Sequence, residues 1–312
     1  MNKFLLTSLF FHLRAPTFGR RGFALLTSPF LRLKAPTFGR KGIEGLASLV
    51  FLFLTTITAS HANDKIEIFV SILPQQYFVE RIGGDKVNVH VMVKPGQSPS
   101  TFEPTPKLMS LYSKADIFFT IGMPFEKVWI DRVASLNKNV AIIETQPQRS
   151  KAKDPHTWLS PVLVQSQAKI IMLALSQASP QNKEIYTNNF NKLKKELDVL
   201  HESNKSVFKD LNKTRFMTFH PAFSYFADLY GLTQIAIESK GKEPSAKQMS
   251  QLVGHYRDKQ VPYVLIEKQF NQIVPKTVAK SLNSELLAVD PLAKDYISNM
   301  NDIAEKIHRS LF

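Results

Sequence analysis

The sequence predicts an α/β protein of two lobes, each a mainly parallel sheet flanked by helices, joined by one long rigid helix. From Lys65 onward, short apolar runs alternate with helical stretches, which is the pattern of strand–helix–strand units. The alternation stops over residues 182–211, which contain no Pro and no Gly, and then resumes. Two such lobes leave a cleft between them, and open α/β sheets bind ligands beyond the carboxyl ends of their strands.

The first lobe is predicted to hold four strands. Valine recurs at every second position of residues 87–93, so these side chains share one face of a strand. A helix over residues 74–82 is expected to end at Gly83, since glycine terminates helices readily. The other predicted strands are 66–72, 115–121 and 140–143, and the other predicted helices are 104–113 and 125–136.

An apolar stripe marks the long central helix. Phe190, Leu193, Leu197 and Leu200 recur at spacings of 3, 4 and 3 residues, so they line one helix face. Thirty helical residues would span roughly 45 Å, which suits a strut between two lobes. The predicted domains are a leader (1–62), a first lobe (63–180), the linking helix (181–211) and a second lobe (212–312).

The second lobe repeats the alternation of strands and helices. Gly231 is expected to end the first of its helices. The predicted strands are 215–219, 233–237, 263–266 and 286–289, and the predicted helices are 222–230, 246–259, 274–282 and 295–311.

The first 62 residues are predicted to be a leader rather than part of the fold. Residues 15–20 recur as residues 35–40, but these are only two copies, whereas a solenoid needs at least three. Two basic residues, an apolar segment over 46–57 and small residues up to Ala62 predict a secretory signal cleaved near Ala62. An uncleaved anchor is the alternative, although a membrane span needs about 20 apolar residues. We therefore expect a periplasmic protein.

Composition excludes several functional classes. The chain has no cysteine, so it has no disulfide and no thiolate metal site, and any metal must bind nitrogen and oxygen. The net charge is +14, but residues 1–62 carry eight basic side chains and one acidic side chain, which leaves +7 for the remainder. The remaining basic residues are dispersed, so nucleic acid is not an expected partner.

Three residues are candidate metal ligands because of their places in the predicted fold. His156 lies in a turn-rich loop before a helix, His220 directly follows the strand at 215–219, and Asp290 directly follows the strand at 286–289. Two imidazoles and a carboxylate can bind Zn²⁺, Mn²⁺ or Fe²⁺. On spacing alone, the alternative of three unrelated loop residues stays open. We expect surface or internally bonded positions for His90, His201, His255 and His308.

Five segments in a fixed order resemble the motifs of the zinc/manganese solute-binding proteins of ABC importers. The first, residues 95–106, ends in Phe-Glu-Pro-Thr-Pro, and the second, residues 154–161, reads Asp-Pro-His-Thr-Trp-Leu-Ser-Pro. The others are residues 219–232, 266–270 and 289–292. The resemblance covers residue 65 to the end. It implies two α/β lobes, a rigid linking helix, and a metal ion captured between the lobes for a membrane permease and its ATPase.

Matched position by position, the resemblance implies that His156, His220 and Asp290 are ligands. It also implies a histidine where this chain has Ser100, and a serine hydroxyl is a poor ligand because it is neutral and hard to deprotonate. Water, Glu103 or another donor would then complete the shell, although Glu103 also suits a structural role near a helix start. A histidine at position 220 favours zinc, with manganese or iron as the alternative.

Two other functional classes compete with metal capture. A zinc hydrolase would need a general base, and Glu267 at a strand end is the spare carboxylate that could serve. The resemblance instead implies that Glu267 orients a ligand histidine. No His-Glu-x-x-His or Gly-x-Ser-x-Gly motif is present, so we expect no enzyme. A surface adhesin is the third class, which the sequence does not test. A monomer is expected.

Overall fold

The computed structural model describes residues 65–99, 102–147, 154–239 and 242–312. Residues Asp64–Phe312 form one compact unit. The repeat, the apolar segment and the cleavage site predicted for residues 1–62 lie outside the described residues, as does Ser100. Within the described part of the chain, no helix is both long and apolar enough to cross a membrane.

The first sheet has four parallel strands in the order β2-β1-β3-β4. Its central strands are apolar on both faces because helices cover both sides of a parallel sheet, and Ile68 and Phe119 are fully buried. Each of the four lies where the sequence predicts a strand. Its strands are β1 (Ile66–Val70), β2 (Val87–Val91), β3 (Ile117–Thr120) and β4 (Ala141–Glu144).

Helices follow the strands of the first sheet. The Thr105 hydroxyl accepts a hydrogen bond from the Leu108 backbone N–H at 3.3 Å and so caps the second helix, which begins with Pro106. A proline is favourable there because the first helical N–H has no partner within the helix. The helices are α1 (Leu73–Gly83), α2 (Pro106–Tyr112) and α3 (Pro124–Leu136).

Two helices packed side by side connect the sheets. They are α4 (Pro161–Ala178) and α5 (Lys183–Val207). The stripe on α5 is confirmed, since Leu193, Leu197 and Leu200 are buried. The helix is shorter than predicted, because Asp210 takes a positive φ of 55° soon after its end. Its 25 residues span about 37 Å, and α4 packs alongside it.

The second sheet repeats the strand arrangement of the first, with four parallel strands in the order β6-β5-β7-β8. The predicted fold class is therefore confirmed. Its strands are β5 (Arg215–Thr218), β6 (Thr233–Ala236), β7 (Tyr263–Glu267) and β8 (Glu285–Val289). Its helices are α6 (Ser224–Leu229), α7 (Ala246–Tyr256), α8 (Ile273–Leu282) and α9 (Tyr296–Arg309).

The two sheets share a hydrophobic core. One continuous cluster includes Phe118 of β3, Leu197 of α5, Phe216 of β5 and Tyr296 of α9. A smaller cluster around Val264 covers another part of the second sheet. Because the main core runs through both halves, the lobe boundaries proposed at residues 180 and 212 stay a prediction.

Buried hydrogen bonds also join the two halves. The Trp158 indole N–H donates to the Pro291 carbonyl at 2.8 Å, and the Tyr296 hydroxyl donates to the Trp158 carbonyl at 2.8 Å. Nearer the surface, Lys294 pairs with Glu80 at 2.8 Å. These ties and the shared core favour a molecule that changes little in shape.

Candidate metal centre

Four polar residues meet at the carboxyl edge of the second sheet. His220 follows β5 by two positions, Glu238 follows β6 by two, Glu267 ends β7, and Asp290 directly follows β8. Because the strands are parallel, their carboxyl ends lie along one edge, where open α/β sheets bind ligands.

His156 reaches this edge from the other half of the molecule. It directly precedes a short 3₁₀ turn, Thr157–Leu159, whose three residues are buried and lead into α4. The Nε2 atoms of His156 and His220 lie 3.3 Å apart, and their ring centroids lie 5.2 Å apart. The two predicted histidines, separated by 64 positions in the chain, therefore come together.

A carboxylate accepts a hydrogen bond from Nδ1 of each histidine, the ring nitrogen that does not face the other histidine. Nδ1 of His156 lies 2.6 Å from Oδ1 of Asp154, and Nδ1 of His220 lies 2.9 Å from Oε2 of Glu238. An ionised carboxylate only accepts hydrogen bonds, so each Nδ1 carries the proton and donates it. The neutral imidazole then has its lone pair on Nε2, and this orientation is typical of metal-binding histidines.

The spacing of the two Nε2 atoms matches a shared metal ion. Two nitrogens about 2.0–2.1 Å from a tetrahedral Zn²⁺ lie about 3.3 Å from each other. The separation of the Nε2 atoms of His156 and His220 is 3.3 Å. The pair therefore fits a divalent ion by the distance between its nitrogens and by its tautomers.

Burial changes the pKa values of His156 and of its partner Asp154. It lowers the pKa of His156 below the ordinary value for histidine, although the hydrogen bond to Asp154 acts in the opposite direction. Burial by itself would raise the pKa of Asp154, but the hydrogen bonds from His156 and Ser224 outweigh it and leave this pKa lowered. The result is a neutral imidazole beside an ionised carboxylate, which is the state that a metal ligand needs.

Asp154 also joins the two halves of the molecule. The Ser224 hydroxyl, at the start of α6, donates to Oδ2 of Asp154. The Tyr225 hydroxyl donates to the Asp154 carbonyl at 3.1 Å. The carboxylate that orients His156 is thus itself held by the half that carries His220.

Asp290 occupies a neighbouring position. Its Oδ1 accepts from the Leu292 backbone N–H at 3.0 Å and from Nε2 of Gln269 at 3.2 Å. Within the described residues, no group of three or more His, Cys, Asp or Glu side chains is arranged to hold a metal ion. The role of Asp290 as a third ligand therefore stays a prediction.

A small cavity of about 50 Å³ adjoins the histidine pair. The Phe270 ring stacks on the His220 ring, with centroids 4.9 Å apart and planes at 25°. Most of the remaining wall is apolar, which limits water and strengthens electrostatic interactions inside. The wall is formed by Ser98, Pro99, Met123, His156, Trp158, His220, Ala222, Gln269, Phe270, Pro291 and Leu292.

Glu267 and Glu103 take different places. Glu267 is fully buried, and burial raises its pKa to about 7. Among the described residues its Oε2 has no hydrogen-bond partner. Sequence reasoning expected Glu267 to orient a histidine, but Glu238 contacts Nδ1 of His220. Glu103 is exposed and does not line the cavity of the histidine pair.

Sequence reasoning missed Asp154 and Glu238. Asp154 could have been found because Asp-Pro-His places a carboxylate two residues before a histidine, and such a carboxylate readily turns back onto the following backbone. Its Oδ1 does accept from the His156 backbone N–H at 3.0 Å. Glu238 follows a strand just as His220 and Asp290 do, so the strand-end rule would have found it as well.

The other described histidines lie elsewhere, as expected. Nε2 of His90 lies 2.8 Å from Glu67 on the first sheet. Nδ1 of His201 lies 3.3 Å from the Tyr230 hydroxyl. Aromatic contacts are made by His255 with Tyr256 and by His308 with Phe208.

The geometry has a counterpart among known proteins. The family described as "ZnuA: Zinc-uptake complex component A periplasmic" matches residues 68–310. The chain belongs to this family. A crystal structure of ZnuA is 36% identical, covers 79% of this chain and 99% of its own, and superimposes with a TM-score of 0.77.

Two relatives extend the comparison within the ZnuA family. A putative metal-binding protein of Chlamydia muridarum is 30% identical over 267 residues, which cover 82% of this chain and 96% of the relative. The manganese ABC transporter substrate-binding lipoprotein PsaA of Streptococcus mitis is 28% identical over 272 residues, or 78% and 88% of the two chains. The relatives are thus metal-binding and transport proteins.

Proposed function

We propose that this protein captures a divalent transition metal, zinc first, outside the cytoplasm and delivers it to an ABC permease and its ATPase. One observation carries the proposal. The Nε2 atoms of His156 and His220 lie 3.3 Å apart while both Nδ1 atoms bind carboxylates. This arrangement presents two lone pairs at the separation that tetrahedral zinc requires.

The donor types favour zinc over its competitors. Imidazole nitrogen suits borderline ions, while sites rich in carboxylate and water suit manganese. The predicted ligands are two imidazoles and the carboxylate of Asp290, and this nitrogen-rich combination favours zinc. Manganese and iron are the alternatives, and the PsaA relative is described as a manganese protein.

The lining of the cavity supports capture rather than catalysis. Among the described residues, the wall beside the histidine pair is mostly apolar and contains no Asp or Glu side chain that could act as a general base. Glu267, the candidate general base of a hydrolase, is fully buried at the end of β7. Binding and release of the ion itself therefore fit the site better than turnover of a substrate.

Zinc titration of the exported protein after removal of metal by a chelator tests the proposal. His156→Ala or His220→Ala should weaken zinc binding at least about 100-fold, since losing only the partner of a ligand costs about 10–100-fold. His201→Ala on α5, which does not line the cavity of the histidine pair, is the matched control and should bind as the natural protein does. Equal zinc affinity in all four proteins would remove the basis of the proposal.

Export and delivery complete the proposal. A signal cleaved near Ala62 would release a periplasmic monomer that meets its permease at the membrane. Cell fractionation and N-terminal sequencing of the mature protein test this route. Recovery from the cell surface with affinity for host matrix proteins would instead support the adhesin alternative.

A further inference from the structure

Gln269 lies between the histidine pair and Asp290. It follows the last residue of β7 by two positions, at the same carboxyl edge. Gln269 lines the same cavity as His156 and His220. It also lines a second cavity, of about 30 Å³, together with Asp290. Within the described residues, Leu292 is the other side chain common to both cavities, and it is apolar.

The amide of Gln269 has a defined orientation. Its Nε2 lies 3.2 Å from Oδ1 of Asp290. A carboxylate oxygen accepts but does not donate, so the NH₂ end of the amide must face Asp290. The amide oxygen therefore points away from that carboxylate. This oxygen is buried and has no hydrogen-bond partner among the described residues.

A buried carbonyl oxygen without a donor is uncommon in folded proteins and calls for an explanation. The oxygen belongs to a side chain that lines the same cavity as His156 and His220, whose Nε2 atoms lie 3.3 Å apart. A cation held by those imidazoles would satisfy it. Amide oxygens are accepted ligands of divalent ions, and harder ions favour them most.

We propose that Gln269 is a metal ligand of this site through its amide oxygen, while its N–H groups hold Asp290. The inference rests on the proposed metal capture. It supplies an oxygen donor beside His156, His220 and Asp290, so that the protein itself provides the four ligands common for zinc. Ser100 then needs no direct part in coordination.

Zinc affinity in a double-mutant cycle tests the inference. Gln269→Met keeps the volume and removes both polar ends, and it should weaken zinc binding at least about 10-fold. Gln269→Met introduced into the Asp290→Ala variant should still weaken zinc binding, because a direct ligand contributes to binding whether or not Asp290 is present. Gln269→Glu in the Asp290→Ala protein should tighten binding, because it keeps an oxygen and adds charge. Gln272→Met, exposed just before α8, is the matched control and should change nothing.

Two results would overturn the inference. One is unchanged zinc affinity in Gln269→Met. The other is a loss that vanishes after Asp290→Ala, which would make Gln269 only a positioning residue for Asp290. His220→Ala, measured in parallel, separates the two proposals. If that variant loses zinc and Gln269→Met does not, only the role of Gln269 fails. If neither loses zinc, metal capture at this site fails too.

Discussion

The two histidines are oriented by the same chemistry but by different parts of the chain. His156 uses Asp154, two positions before it in a loop, and Asp154 is also held by Ser224 across the molecule. His220 uses Glu238, 18 positions later at the end of the neighbouring strand, and Glu238 is only 5% exposed. One half of the site is thus built within a sheet. The other half depends on contacts between the two halves of the protein.

This difference has a consequence for release of the ion. A movement between the halves would leave His220 and Glu238 together, because both belong to one sheet. The same movement would separate Ser224 from Asp154 and loosen the orientation of His156. We therefore expect the permease to act on the His156 half of the site.

Among changes that leave the two histidines in place, the largest expected effect comes from removing their carboxylate partners. Glu238→Ala and Asp154→Ala should each weaken zinc binding about 10–100-fold, since a partner of this kind fixes the tautomer and the ring orientation of a ligand. Competition titration with a zinc indicator measures both. Asp154→Ala should in addition speed zinc dissociation more than Glu238→Ala does. Equal zinc dissociation rates in the two variants would contradict the proposed difference between the two halves of the site.

Glu126 supports the His156 side and gives a pH-dependent prediction. It accepts hydrogen bonds from Ser71 and from the backbone N–H groups of Ile121, Gly122 and Met123, and Met123 lines the cavity. Glu126→Gln should lower the free energy of unfolding by roughly 1–3 kcal/mol, because buried donors lose part of their acceptor.

The pH dependence of this loss has a definite sign. Burial, only partly offset by these hydrogen bonds, raises the folded-state pKa of Glu126. The contribution is complete below the unfolded pKa and is lost as the pH rises through the folded pKa. The stability difference between the natural protein and the Glu126→Gln variant should therefore be larger near the ordinary carboxyl pKa, about pH 4, than at about pH 7. Urea unfolding at both pH values measures it, and a difference that grows with pH would contradict the prediction.

Trp158→Phe should have a moderate effect, mainly on stability. It removes the indole N–H that donates to the Pro291 carbonyl and leaves that buried oxygen unpaired. We expect a loss of about 1 kcal/mol in urea unfolding. Zinc binding should weaken several-fold, since Pro291 adjoins Asp290. Trp129→Phe on α3 is the control, and an equal effect there would argue against a specific tie.

The smallest effect is expected at the rim of the contact between the halves. Lys294 and Glu80 form an ion pair, but their side chains are 47% and 39% exposed. Exposed pairs contribute only about 0–1 kcal/mol because water and salt screen them. Lys294→Gln should therefore leave zinc affinity unchanged and shift the unfolding midpoint little. A large loss of stability in Lys294→Gln would show that this exposed ion pair, and not the buried Trp158 contact, holds the halves together.

The sequence predicted well what depends on periodicity and on strand ends. Alternation indicated the eight strands, and the strand-end rule led to His220 and Asp290. It could not predict contacts that arise only when distant segments meet. The packing of α4 beside α5 and the bond between Ser224 and Asp154 belong to this class.

Two details depend on more than sequence pattern. The amide of Gln269 has no distinctive local signal, because its role comes from lying between Asp290 and the histidines. The sequence pattern places the end of α5 too late because residues 208–211 contain neither Pro nor Gly. The helix nevertheless ends at Val207, and Asp210, in the turn that follows, takes a positive φ of 55° through which a helix cannot continue.

The Phe270 ring lies flat against His220, beside one of the two nitrogens that would hold the ion. An imidazole stacked in this way has little freedom to swing aside. An arriving ion would meet at least one donor already aimed, so association should cost little reorganisation. A departing ion would leave behind a ring that cannot follow it, so unloading requires the transporter to move the opposite wall.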